Sequence, residues 1–292
     1  SFYELHKANL LPEKFKIIAA SRTKHSSDDF ISLLADNIDT ADAKSWETFT
    51  KLIEYLPTDV ATGQNLETLS KKIDDTEQAM QTCPQRVFYM AISHKIYKDS
   101  FENLGKVNLN LGCQKHGNPA RVVVEKPFGS NFETAQELNA GLSKYFGEDQ
   151  TFRIDHFLGK ETVQNIFTFR FGNELFEPVW NNKYIDHVQI TASEYIGIEK
   201  RGAFYDQTGA LRDFVQNHLL QLLAIVTMEE PKSFDQAGIR EKKLEIIDNL
   251  KKMTPEEVSQ NTIRAQYEGY KDEENVGASS NAETFALVKL FI

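Results

Sequence analysis

The chain has 292 residues, is 40% hydrophobic and 26% charged, and sets 33 basic against 43 acidic side chains for a formal charge of -10. That balance excludes a nucleic-acid surface and makes any anionic ligand depend on a local cluster of cations, while no apolar run approaches the ~20 residues of a membrane span. A single core rarely sustains this length, so two domains are expected.

The opening SFYELHKANLLPEKF lacks the basic, apolar and small-residue succession of a signal peptide, and Leu5, Leu10 and Leu11 read as the tail of a helix already under way. FKIIAAS at 15 to 21, RVFYMAI at 86 to 92 and ARVVVEK at 120 to 126 are continuous apolar runs with helical stretches between them. Strands of this kind, buried on both faces, predict a parallel sheet flanked by helices, an α/β layout. Cys83 and Cys113 stand far apart without a C-x-x-C pair, which suggests neither a disulfide framework nor a zinc ribbon and points to a reducing cytoplasm. Cys113 and His116 have metal-ligand spacing, but two ligands do not make a site, and no metal is expected.

After the third strand, EKPFG at 125 to 129 sets Lys126 at the carboxyl edge of the sheet, where open α/β folds bind their ligands. A solvated lysine at a turn is the plainer alternative. Pro127 fixes the backbone direction and permits a cis bond. Ser130 with Glu133 reads as a capping box for a helix whose Ala135, Leu138 and Leu142 share one face. Then comes RIDHFLGKE at 153 to 161, where Asp155, His156 and Lys160 crowd around Gly159. Its charges either neutralise one another at a strand end or supply the point charges and close backbone approach that a phosphate needs.

Beyond about residue 155 the texture changes, and the domain seam is placed there. HVQITASEYI at 187 to 196 alternates strictly, predicting a half-buried antiparallel strand whose inward face carries Val188, Ile190, Ala192 and also Glu194. That carboxylate then needs a cation, a hydroxyl-bearing ligand or water. GALRDFVQNHLLQLLAIVTM at 209 to 228 is the strongest helix, with Leu211, Val215, Leu222 and Ile225 on its core stripe and His218 between them. A satisfied core histidine and a general base are both open there. Asp213 falls on a different face, as a solvent-exposed carboxylate would. REKKLEIIDNLKKM at 240 to 253 is an amphipathic surface helix, Thr254 with Pro255 and Glu257 caps another, and TFALVKLFI is a last strand.

RIDHFLGKE, EKPFG, RGAFYDQTGALRDFVQNHLLQ and FEPVWN at 176 to 181 stand in an order and spacing that resembles the glucose-6-phosphate dehydrogenase family, from the ASR at 20 to 22 through to ETFALVKLFI. The resemblance implies a Rossmann-like coenzyme domain over residues 1–155 and, over 156–292, an α+β substrate and dimerisation domain with a large mainly antiparallel sheet, each incomplete at its outer end. It implies oxidation of the C1 hydroxyl of glucose 6-phosphate to 6-phosphogluconolactone, the first step of the oxidative pentose phosphate pathway. The coenzyme would be NADP, or NAD as well, and the full-length protein a cytoplasmic homodimer.

Carried over residue by residue, the resemblance makes His218 the general base and Asp155 its orienting carboxylate. His156 and Lys160 become phosphate ligands, and Glu194 and Asp213 acceptors for sugar hydroxyls. Lys126 falls between sugar and nicotinamide, Arg22 on the 2'-phosphate of NADP and Tyr97 beside the coenzyme. Phe157 replaces the family's usual tyrosine, which removes one phosphate hydrogen bond and about 0.5–1.5 kcal/mol. Ser93 and His94 replace prolines of the coenzyme-facing loop. No G-x-G-x-x-G occurs in the chain, so this segment by itself is expected to bind NADP poorly and turn over little. Two competing readings are another Rossmann-plus-sheet sugar dehydrogenase and a phosphosugar-binding module without turnover.

Overall fold

Ile17–Ser21 (β1) and Ile53–Pro57 (β2) pair in parallel, with Ile17 opposite Ile53. Val87–Met90 (β3), Arg121–Val124 (β4) and Thr151–Arg153 (β5) form a second parallel ladder in that order. The three apolar runs are therefore strands of parallel sheets. IEYLP and TFR, short and broken by polar residues, carry no run long enough to stand out, yet they complete both ladders. These elements come from the computed structural model, which describes residues 1–113 and 117–292; His116 lies outside the described residues.

A helix at Phe2–Lys7 (α1) precedes β1, and helices at Ser27–Ala35 (α2), Ala43–Thr50 (α3), Leu66–Met80 (α4), Tyr97–Lys106 (α5) and Phe132–Ser143 (α6) connect the strands. Val122 and Val124 of β4 are buried together with Phe101 and Leu104 of α5 and Leu138 and Leu142 of α6. Burying each such apolar side chain contributes about 1.5–3 kcal/mol. A smaller cluster of Tyr3, Phe49 and Ile53 packs α1 and α3 onto β2.

Two expectations are corrected in this part of the chain. The cap of α6 is Asn131, one residue later than Ser130: its side chain accepts the N–H of Thr134 at 2.9 Å, and Thr134 Oγ1 accepts the N–H of Asn131 at 3.1 Å. Threonine thus does the work assigned to Glu133. Cys83 and Cys113 form a disulfide with Cα atoms 5.7 Å apart. They lead into β3 and β4, and neighbouring parallel strands begin side by side, so residues distant in sequence meet at the entry loops. The pairing removes the argument for a reducing compartment that rested on cysteine usage.

Contacts divide the chain into two units, Ser1–Ile154 and Asp155–Ile292. The second holds Glu161–Phe171 (α7), Gly202–Ala210 (α8), a π-helical stretch Leu211–Leu219, and Leu220–Thr227 (α9) running straight on from it. Gln236–Asp248 (α10) and Pro255–Asn261 (α11) follow, the latter with Thr254 and Glu257 in a full capping box. Compared with the predicted surface helix, α10 starts earlier because Asp235 accepts the N–H of Gly238 at 2.8 Å and opens it. Thr262–Ala265 (β6) and Phe285–Val288 (β7) pair antiparallel. No helix among the described residues is long and apolar enough to cross a membrane.

The predicted strand at 187 to 196 does not form: the segment carries no regular secondary structure and leaves Val188, Ala192 and Glu194 exposed. Alternation creates a buried face only when a neighbouring strand supplies a ladder and a layer beneath it. The described residues place neither beside this segment, so Glu194 points to solvent instead of inward.

Candidate active site

The π-helical stretch determines what the strongest helix presents. In an α-helix, residues five apart diverge around the axis, whereas the wider turn of i→i+5 bonding brings them closer to one face. Asp213 and His218 are separated by that interval, and both are buried, 3% and 0% exposed. The expectation that Asp213 sits on another face in solvent is thus corrected by one wide turn. Glu283, of the ETFALVKLFI segment, fixes where the stretch begins: its carboxylate accepts the N–H of Leu211 at 2.9 Å, and its carbonyl accepts that of Ala210 at 2.8 Å. Gly209, at φ +68, precedes them, and a Cβ there would lie 2.5 Å from the Glu283 carboxylate.

RIDHFLGKE folds into a short 3-10 turn, His156–Gly159, that leads straight into α7. Asp155 caps the turn by accepting the N–H of Phe157 at 3.0 Å, and the same oxygen lies 2.5 Å from Nδ1 of His218. A carboxylate has no proton to give, so Nδ1–H donates, and in the neutral imidazole Nε2 is then the acceptor nitrogen. The second oxygen of Asp155 is buried and has no hydrogen-bond partner among the described residues. Around the imidazole, the His156 ring stands edge-on at 4.6 Å and the Phe157 ring stacks at 4.1 Å.

His156 and Lys160 are exposed, and Lys160 is also the N-cap of α7. An ammonium at a helix N-terminus whose cap residue carries no acceptor leaves both charge and backbone N–H groups for an anion. Asp155, His156 and His218 bring ligand-type atoms within 4.8 Å of one another. Within that trio the Asp155 oxygen and Nδ1 of His218 are engaged with each other.

Three supporting residues escaped the sequence reading. Arg201 forms an ion pair with Asp213 at 3.0 Å. Lys243 of α10 donates to Gln221 at 2.7 Å, three residues past His218. Burial pushes the Lys243 ammonium below the ordinary lysine range and Arg240 adds to this, while the Asp155 carboxylate acts in the opposite direction. Arg170 donates to the carbonyls of Ile225, Val226 and Met228 and pairs with Glu177 at 3.0 Å, and Trp180 donates to Val226 at 2.8 Å. FEPVWN thereby helps hold the end of the helix that carries the histidine. Cations just before a helix or inside a charged run look like solvated surface, which hides such roles.

In the first unit, Arg22 directly follows β1 and is exposed, and Lys126 follows β4, half-buried, with a cis bond to Pro127. Tyr97 is 1% exposed; its hydroxyl donates towards the carbonyls of Met90 and Glu125 and accepts the N–H of Glu125 at 3.0 Å. It thus ties together the ends of β3 and β4 from within the core. His94 lies 3.3 Å from Ser130 in the loop beside it.

Residues 1–165 match the family model "Glucose-6-phosphate dehydrogenase, NAD binding domain", and residues 167–292 match "Glucose-6-phosphate dehydrogenase, C-terminal domain". The chain is 42% identical to a glucose-6-phosphate 1-dehydrogenase of Treponema pallidum (strain Nichols), covering 100% of itself and 59% of that protein. It is 38% identical to one of Borreliella burgdorferi (strain ATCC 35210 / DSM 4680 / CIP 102532 / B31), covering 61% of it. Among solved structures, "Glucose-6-phosphate dehydrogenase in complex with its substrate glucose-6-phosphate" superposes with a TM-score of 0.89 at 32% identity, over 100% of this chain and 61% of that one. A Mycobacterium avium glucose-6-phosphate 1-dehydrogenase gives 0.86 at 33% identity, over 99% of this chain and 61% of that one. The chain thus spans 59% to 61% of the length of these relatives.

Proposed function

The chain belongs to the glucose-6-phosphate dehydrogenase family, and on that premise we propose that it oxidises the C1 hydroxyl of glucose 6-phosphate to the lactone with NADP as hydride acceptor. The observation that carries the proposal is the dyad: a fully buried imidazole held at Nδ1 by a carboxylate, beside an exposed lysine at a helix N-terminus. Proton removal from a sugar hydroxyl needs a base whose acceptor nitrogen is fixed, and an anionic tail needs cations a short distance away.

His218 takes the hydroxyl proton at Nε2, and Asp155 holds the ring in the tautomer that makes this possible and steadies the imidazolium formed. His156 and Lys160 bind the phosphate. Asp213 and Glu194 accept from sugar hydroxyls, and Lys126 holds the sugar near the coenzyme. When bound, the nicotinamide supplies the hydride acceptor. Its adenosine end suits Arg22, an exposed guanidinium directly after a parallel strand, where the forked donors match a 2'-phosphate and so favour NADP. Tyr97 acts from behind, by fixing the strand ends that face the coenzyme. A homodimer is part of the same reading for the intact protein.

The test is NADPH formation by the intact protein. Glucose 6-phosphate with NADP should give steady turnover, and free glucose at the same concentration far less. Equal rates on both sugars would refute the phosphate site, and absence of NADPH with either would refute the dehydrogenase reading.

A further inference from the structure

Phe157 is 8% exposed and touches both working ends of the site. Its ring stacks on His218 with centroids 4.1 Å apart and planes 12° from parallel. The ammonium of Lys160 lies 3.6 Å from the centre of the same ring. Two groups so close cannot share one face, because the ammonium nitrogen would then fall within the imidazole. Lys160 and His218 therefore cover opposite faces of one phenyl ring. Phe214 meets that ring at right angles, 6.0 Å away, and leaves both faces covered as described.

We propose that Phe157 is a positioning residue for both groups: one face sets the plane of the imidazole against Asp155, and the other holds the Lys160 ammonium in reserve until an anion draws it off. The part concerning Lys160 rests on the reading of that lysine as a phosphate ligand. A cation resting on an aromatic face at an exposed site is held weakly, whereas an ammonium paired with a phosphate oxygen gains a charge-assisted hydrogen bond. The anion wins that exchange. On the other face, stacking removes the freedom of the imidazole to rotate about its last side-chain bond, which the Asp155 contact at one nitrogen does not remove alone. Tyrosine would keep both faces; an aliphatic residue would keep neither.

The experiment is NMR of the intact protein with 13C-labelled lysine, the Lys160 Hε signal being assigned by its absence in Lys160→Arg. Without phosphate the signal should lie upfield of ordinary lysines, shifted by the ring current, and inorganic phosphate should return it to the ordinary position. Phe157→Leu should abolish the upfield position and lower kcat by up to about tenfold, while Phe157→Tyr keeps the NMR signature. An ordinary Hε position in the phosphate-free wild type overturns the proposal, and that measurement needs no variant to fold. An upfield signal that ignores phosphate overturns the release step. Because the signal is read without turnover, a protein that makes no NADPH leaves this result standing or falling separately.

Discussion

Asp155 Oδ1 accepts from two donors at once, the Phe157 N–H of its own turn at 3.0 Å and Nδ1 of His218 at 2.5 Å. The first bond holds in place the carboxylate that the second uses. A base oriented by a carboxylate that is itself oriented loses little on reaching the transition state, which is the economy of preorganised sites. The arrangement ties the 3-10 turn to the π-helical stretch, so the geometry of the dyad depends on both.

His218→Asn should therefore lower kcat by about 10²- to 10⁴-fold while changing the KM for glucose 6-phosphate much less, since asparagine fills similar space and cannot take the proton. Steady-state kinetics on the intact protein decide it. Turnover within a few-fold of wild type would show that another group is the base.

Lys160→Ala should do the reverse. If Lys160 binds the phosphate as proposed, it does so in ground state and transition state alike, so its loss should raise KM for glucose 6-phosphate by about ten- to a hundredfold and leave kcat largely intact. Activity on free glucose, which has no phosphate to lose, should not change. An equal loss on both sugars would place Lys160 outside the anion site.

Much of this was legible in the sequence, and the failures share a cause. The parallel strands were readable because a run such as RVVV carries its burial in its own composition. His218 stood out as a polar ring on an apolar stripe, and Asp155 as part of a charged cluster around Gly159. Asp213 did not, because periodicity assumes one turn length and a π-helical stretch breaks that assumption. HVQITASEYI alternates as a strand should, but a strand is a relationship with a neighbour, which composition does not contain. Cys83 and Cys113 meet through the topology of β3 and β4, and Lys243 and Arg201 act through partners far away in sequence. Patterns report local propensity; contacts across elements must be seen.

Alkaline pH offers a test that does not depend on catalysis. Burial first, then the Asp213 and Glu283 carboxylates, push the Tyr205 hydroxyl from 10.0 up to about 12. Between those values the unfolded chain has lost the phenolic proton while the folded chain retains it. Stability contributed by this group is complete below about pH 10 and falls as pH rises towards about 12, by roughly 1–3 kcal/mol. Burial pushes Tyr97 upward as well, so only the difference from a Tyr205→Phe variant isolates the group. Denaturant titrations near pH ~9 and pH ~11 should show a smaller loss in the variant. Identical losses in both proteins would rule out Tyr205 as the source.

Arg170 should be the costliest of these positions for folding. It is 2% exposed, and one guanidinium nitrogen donates to the carbonyls of Ile225, Val226 and Met228 while another meets Glu177. Arg170→Met fills the space but strips those carbonyls of a shared donor and takes the guanidinium away from the partly buried Glu177 carboxylate, whose Oε2 has no other partner among the described residues. Breaking a buried pair from one side costs roughly 3–5 kcal/mol. Arg170→Lys should recover only part of this, because a single ammonium cannot reproduce the planar fork that reaches carbonyls and carboxylate together. Urea midpoints should rank wild type above Lys above Met. Since these carbonyls end the helix that carries His218, loosening them should also lower kcat in the Lys variant, and a fully active Lys variant of reduced stability would show that the helix end and the dyad are independent.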